Sequence, residues 1–149
     1  MHYAASFIDF SAKLGLRLTS LRKEVLYILW EAGKPLKAYE ILESLSKVKL
    51  NSQPPSVYRA LDFFVLKGIV HKIESIQSYT LCCEPLKQLS CEVLMVCNQC
   101  HQVIEVHDPQ VQDVVLNLTK IKKFSLNQDI IELKGTCEAC ENTNPPSHL

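Results

Sequence analysis

The segment PPSVYRALDFFVLKGIVHKIES, residues 54 to 75, changes its hydrophobic period part-way along. Val57, Ala60, Leu61 and Phe64 recur at i, i+3, i+4 and i+7, the spacing of one buried helix face, which turns Tyr58, Arg59 and Asp62 elsewhere. Gly68 can take the left-handed conformation that ends such a helix. Alternation then takes over, predicting a strand at Ile69 to Ile73, a turn at Ser75-Ile76-Gln77-Ser78 and a second strand at Tyr79 to Cys82. Proline cannot donate a backbone hydrogen bond, so Pro54 and Pro55 mark a boundary, and Ser56 is placed to cap the helix.

Two more helices precede this segment. Thr19 can serve as N-cap to a helix carrying Leu21, Val25, Ile28 and Leu29, closed by Gly33 and Pro35. A shorter helix from about Lys37 to Ser46 places Ile41, Leu42 and Leu45 on one face, and residues 51 to 55 form a loop. Three helices followed by a two-stranded hairpin make a winged helix-turn-helix, whose last helix enters the DNA major groove with its N-terminal residues against base edges. Those residues are Ser56, Tyr58 and Arg59.

The second half carries different chemistry. Cys97 and Cys100 share a two-residue spacing with Cys137 and Cys140, and 36 residues separate the pairs. Four thiolates in two such knuckles close a tetrahedron around Zn²⁺, and a closed four-sulfur site is structural because no position is left for water or substrate. Disulfides fit poorly with an odd total of seven cysteines and with a first 18 residues lacking a secretory h-region, which makes a reducing cytoplasm the default expectation. A redox C-x-x-C would need only one pair. Short apolar strands at 93 to 96 and 103 to 106 flank the first knuckle, Pro109 opens an amphipathic helix with Val111, Val114, Val115 and Leu118, and a third strand at 129 to 134 leads to the second knuckle. So small an α/β piece buries little by itself and invites pairing with a second copy.

Composition narrows the classes further. No apolar run reaches the 18 residues of a membrane span. Residues 1 to 80 hold 11 Lys and Arg against 7 Asp and Glu, whereas residues 81 to 149 hold 5 against 9. A polyanion would therefore be drawn to the first half alone. A thiol or zinc enzyme using His71 with Cys82 lacks an oxyanion or substrate-binding motif, and a zinc-ribbon interaction module leaves the helix after Pro54-Pro55 without a purpose.

The segment at 54 to 75, with LTSLRKEVLYILWEAGKPLKAYEIL before it and CNQC and CEAC after it, resembles the ferric uptake regulator family and, within it, the zinc uptake regulator branch, from about Leu18 to Glu141. The resemblance implies an α+β protein with three parts: a winged-helix DNA-binding domain at 1–80, a hinge at 81–90, and an α/β dimerisation domain with a structural zinc at 91–141. A disordered tail is expected at 142–149. It implies a homodimeric zinc-responsive repressor, not an enzyme, which binds palindromic double-stranded operators of zinc-uptake genes, with no membrane and no small organic substrate as partner. An iron-responsive or other metal-responsive regulator of the same family is the alternative.

One regulatory zinc per chain is implied beside the structural one. His71, Cys82 and Glu105 match three of its ligands; where the family has a histidine this chain has Ser90, so Cys91 is expected as the fourth, with Ser90 plus water as the alternative. His101 and His107 offer a further site near Glu105. By the same resemblance Tyr39 reaches the DNA backbone or minor groove, while Lys37, Arg22 and Lys23 contact phosphates, which position the protein without specifying sequence.

Overall fold

A computed structural model describes residues 3–48, 50, 52–86, 92–126 and 130–143. The chain divides into two compact units, Met1–Lys87 and Gln88–Leu149.

The first unit contains α1 (Ala5–Lys13), α2 (Ser20–Ala32), α3 (Ala38–Lys47), α4 (Pro54–Leu66), β1 (Val70–Ile73) and β2 (Ser78–Leu81). Thr19 caps α2 by accepting from the Arg22 N–H at 3.3 Å, and Gly33 closes it at φ 58°. α3 starts where the Glu40 carboxylate accepts from the Lys37 N–H at 2.7 Å. α4 begins two residues before the expected cap: Pro54 and Pro55 occupy its first two positions, with Gln53 as N-cap. Proline suits that place because the first helical N–H groups have no intrahelical partner, so Ser56 lies inside the first turn and caps nothing.

β1 and β2 pair antiparallel, with His71 opposite Thr80, and Leu36 bridges to Tyr79 through hydrogen bonds of 2.9 and 2.8 Å. That bridge ties the wing to the turn between α2 and α3. The core gathers Val25, Leu26 and Leu29 of α2, Ile41 and Leu45 of α3, and Val57, Leu61 and Phe64 of α4. α1 is a fourth helix beyond the three expected. It buries Phe7 among Tyr3, Tyr27 and Trp30, and Tyr3 donates to the buried Glu24 at 2.8 Å. Burial first, then this bond, pushes the Tyr3 phenol up to about 12.

The second unit contains β3 (Glu92–Cys97), β4 (Val103–Val106), α5 (Pro109–Ile121), β5 (Ile130–Gly135) and α6 (Glu138–Thr143). The strand order is β4-β3-β5, antiparallel on one side of β3 and parallel on the other. Asp108 caps α5 by accepting from the Gln110 N–H at 2.8 Å, and Pro109 takes the first position. Because side chains alternate, Glu92, Leu94 and Val96 share one sheet face with Glu105 and Glu132, which flank Leu94 in register. Ile104, Met95 and Leu133 form a row across the other face, each between 42 and 48% exposed. Residues 144–149 of the expected tail lie outside the described residues; Glu141, Asn142 and Thr143 belong to α6.

Candidate metal centres and DNA-reading surface

The two knuckles meet. The Sγ atoms of Cys97, Cys100, Cys137 and Cys140 all lie within 4.8 Å of one another, with Cys100 and Cys137 at 3.7 Å. A zinc–sulfur bond near 2.3 Å sets the edge of a tetrahedron at about 3.8 Å, so the arrangement fits that ion. Strand pairing builds it: β3 ends at Cys97, whose register partner Gly135 stands two residues before Cys137 of the second knuckle. The Asn98 N–H bonds to the Gly135 carbonyl at 2.8 Å, and the Cys137 N–H donates to the Cys97 sulfur at 3.4 Å.

Backbone amides and neighbouring thiols set the acidity of the sulfurs. N–H donation from Cys100, then from Cys137, lowers the Cys97 thiol to about 6. The Cys140 thiol is pushed up to about 12, first by its side-chain hydrogen bond with Cys137 and then by burial. One sulfur of the set is thus a thiolate at neutral pH while another keeps its proton until a cation displaces it.

Each unit also holds a pair of further donor groups. In the first, the Cys82 N–H bonds to the Ile69 carbonyl at 2.8 Å, extending the β1–β2 pairing by one residue and putting Cys82 on the wing face that carries His71. Both residues are 3% exposed, and their donor atoms lie within 4.8 Å of each other. In the second, His107 follows Glu105 by two residues, and its Nε2 stands 3.5 Å from the Glu105 carboxylate, with side chains 21 and 10% exposed. Cys91 and Ser90 lie outside the described residues. His101 is exposed on the first knuckle at φ 60°, where its N–H closes a turn on the Cys97 carbonyl at 3.0 Å. Glu92, buried at the start of β3, was passed over in sequence, where its signal is the two-residue period of the strand; of the further site expected from His101 and His107, only His107 stands beside Glu105.

On the first unit, Tyr58 and Arg59 are exposed in the first turns of α4 and Ser56 is half-buried there, while Tyr39 and Lys37 are exposed at the start of α3. The N-terminal ends of both helices bear the positive pole of the backbone dipole, which favours phosphate. Arg22 and Lys23 are half-buried, the Arg22 guanidinium 3.8 Å from the Phe63 ring centroid and the Lys23 ammonium 4.9 Å from that of Tyr3. Their stems and rings pack together, fixing where the charges sit.

A winged helix with an exposed reading helix, carried on one chain with a four-cysteine metal module, defines the class as metal-responsive DNA-binding regulators. The chain belongs to the ferric uptake regulator family, whose sequence pattern matches residues 13–134. It is 34% identical over 137 residues to the zinc uptake regulation protein of Escherichia coli strain K12, covering 92% of this chain and 80% of that one. Among solved structures, a zinc uptake regulator complexed with zinc and DNA superposes with a TM-score of 0.81 at 34% identity, over 93% of both chains. The structure of holo XcZur gives 0.80 at 35% identity, over 93% of this chain and 99% of the other.

Proposed function

We propose that the protein is a homodimeric, zinc-responsive repressor that binds palindromic operators of zinc-uptake genes in the cytoplasm, with one structural and one regulatory zinc per chain. The observation that carries this reading is the buried imidazole–thiol pair of His71 and Cys82 on the wing of the DNA-reading unit. A soft sulfur beside a nitrogen suits zinc. The second unit supplies Glu105, so an ion bound by all three residues would join the two units across residues 81–90, acting as a hinge, with Cys91 as the fourth-ligand candidate. Metal binding would then select the disposition in which two copies of α4 meet successive half-sites, and linkage requires DNA to tighten metal binding by the same factor.

The dimer is supported by the apolar row of Ile104, Met95 and Leu133 and by Val114, Leu118 and Ile121 of α5, all exposed in a single chain. On DNA, Arg59 is placed for a bidentate contact to guanine, worth about 1–3 kcal/mol in discrimination, and Tyr58 for a thymine methyl. Ser56 reads beside them, while Tyr39, Lys37, Arg22 and Lys23 hold the backbone. No catalytic step enters this reading.

Fluorescence anisotropy with a labelled palindromic operator, with and without zinc, tests it. Zinc should tighten binding by the wild type at least tenfold, and Cys82→Ser should lose that gain while keeping its fold. A Cys82→Ser protein that still responds to zinc like the wild type would remove the pair from the sensing site.

A further inference from the structure

The second unit sets an imidazole directly beside the Glu105 carboxylate. Glu105 and His107 are two residues apart on and just after β4, so their side chains leave the same face of the sheet. The His107 Nε2 and the nearer Glu105 oxygen are 3.5 Å apart. Two ligands of one tetrahedral zinc, with bonds near 2.0–2.1 Å, stand about 3.3 Å apart. The pair is therefore preset close to chelating geometry. Both side chains are largely withdrawn from water, unlike the exposed His101 six residues before His107.

We propose that His107 is a metal ligand, binding the same ion as Glu105. This rests on the reading of Glu105 as a zinc ligand and deepens it. The second unit then contributes an oxygen–nitrogen chelate rather than a lone carboxylate, and His107 takes the fourth position in place of Cys91. A preformed two-point chelate loses less freedom on binding than two ligands gathered separately. It also makes His107 a determinant of metal choice, because imidazole favours zinc over the harder cations that a carboxylate alone would accept.

The alternative role for an imidazole beside a ligating carboxylate is to orient it by a hydrogen bond. Loss of such a partner costs about 10–100-fold in metal affinity and leaves the ligand count unchanged. The test uses the full-length protein with zinc retained in the cysteine tetrad, titrated with cobalt(II), whose visible absorption reports ligand number and type. His107→Gln and Glu105→Gln should each weaken cobalt binding more than about 100-fold, and His107→Gln should also shift the absorption bands of whatever cobalt still binds. His107→Gln with wild-type bands, whatever its affinity, would overturn the proposal, as would unchanged affinity in His107→Gln while Glu92→Gln loses the ion. Tetrad zinc, measured by mass spectrometry, should stay at one per chain in every variant, separating a ligand effect from unfolding. Wild-type cobalt binding without any operator binding would instead defeat the regulatory reading and leave the ligand assignment standing.

Discussion

The two units satisfy their apolar residues in opposite ways. In the first, α1 to α4 and the wing enclose a continuous core that includes Phe7, Leu26, Ile41, Leu61 and Phe64, each with no exposed surface. In the second, the buried apolar residues among those described are Val93, Leu94, Val96 and Cys97, all on β3, and α5 buries none. Similar hydrophobic patterning thus yields a self-supporting domain in one case and an incomplete one in the other. What differs is the closing agent: side-chain packing for the DNA-reading unit, and a metal plus the proposed second copy for the other.

The largest effect that could break this contrast is expected from Cys97→Ser. A structural zinc contributes on the order of 10–16 kcal/mol to small metal domains, so losing one of its four sulfurs should melt the second unit and abolish dimerisation. The first unit should keep its helices, read by circular dichroism and by hydrogen exchange in α2 and α4. A metal-free variant with protected β3 amides and a dimeric mass would show that packing alone holds the sheet. Leu61→Ala attacks the other side of the comparison. Removing a fully buried leucine should cost about 2–5 kcal/mol in the first unit, measured by urea unfolding followed through Trp30, with tetrad zinc still at one per chain. Zinc loss in step with that transition would mean that the units unfold as one.

This contrast was legible in part. Local rules reach the winged helix because each of its devices lies within a few residues of what it controls: Thr19 three residues from the N–H it caps, Gly33 one after the end of α2, and the 3.6-residue stripe inside α4. The cysteine pairs were equally plain, since their spacing is itself the chemistry. α1 escaped because Ala4 offers no capping side chain, and the partners that bury Phe7 include Tyr27 and Trp30, distant in sequence. Ser56 was misplaced as a cap because two prolines read as a barrier, although prolines are tolerated in a first helical turn. At the proposed sensing site, His71 and Cys82 needed the family resemblance, as a lone histidine and a lone cysteine carry no local signature. His107 needed strand geometry to set its distance from Glu105.

The smallest effect separates the four sulfurs from one another. Free cysteine thiols would each give up a proton when zinc enters at neutral pH, but Cys97, lowered from 9.0 to about 6 by backbone N–H donors, has already lost its own. Because its folded value lies below its unfolded one, the stabilisation of that thiolate is complete above about 9 and is lost as pH falls through about 6. Zinc loading of the metal-free full chain at pH 7 to 8 should therefore release fewer than four protons from the tetrad, and one more per zinc once the pH drops below about 6. Calorimetry in buffers of different ionisation enthalpy counts them, with His71 and Glu105 replaced by Gln so that only the tetrad binds. An unchanged count across that range would mean that the amides of Cys100 and Cys137 do not organise the first knuckle before the metal arrives. The second unit would then owe its local order to zinc alone, and the contrast with the self-packed DNA-reading unit would be sharper still.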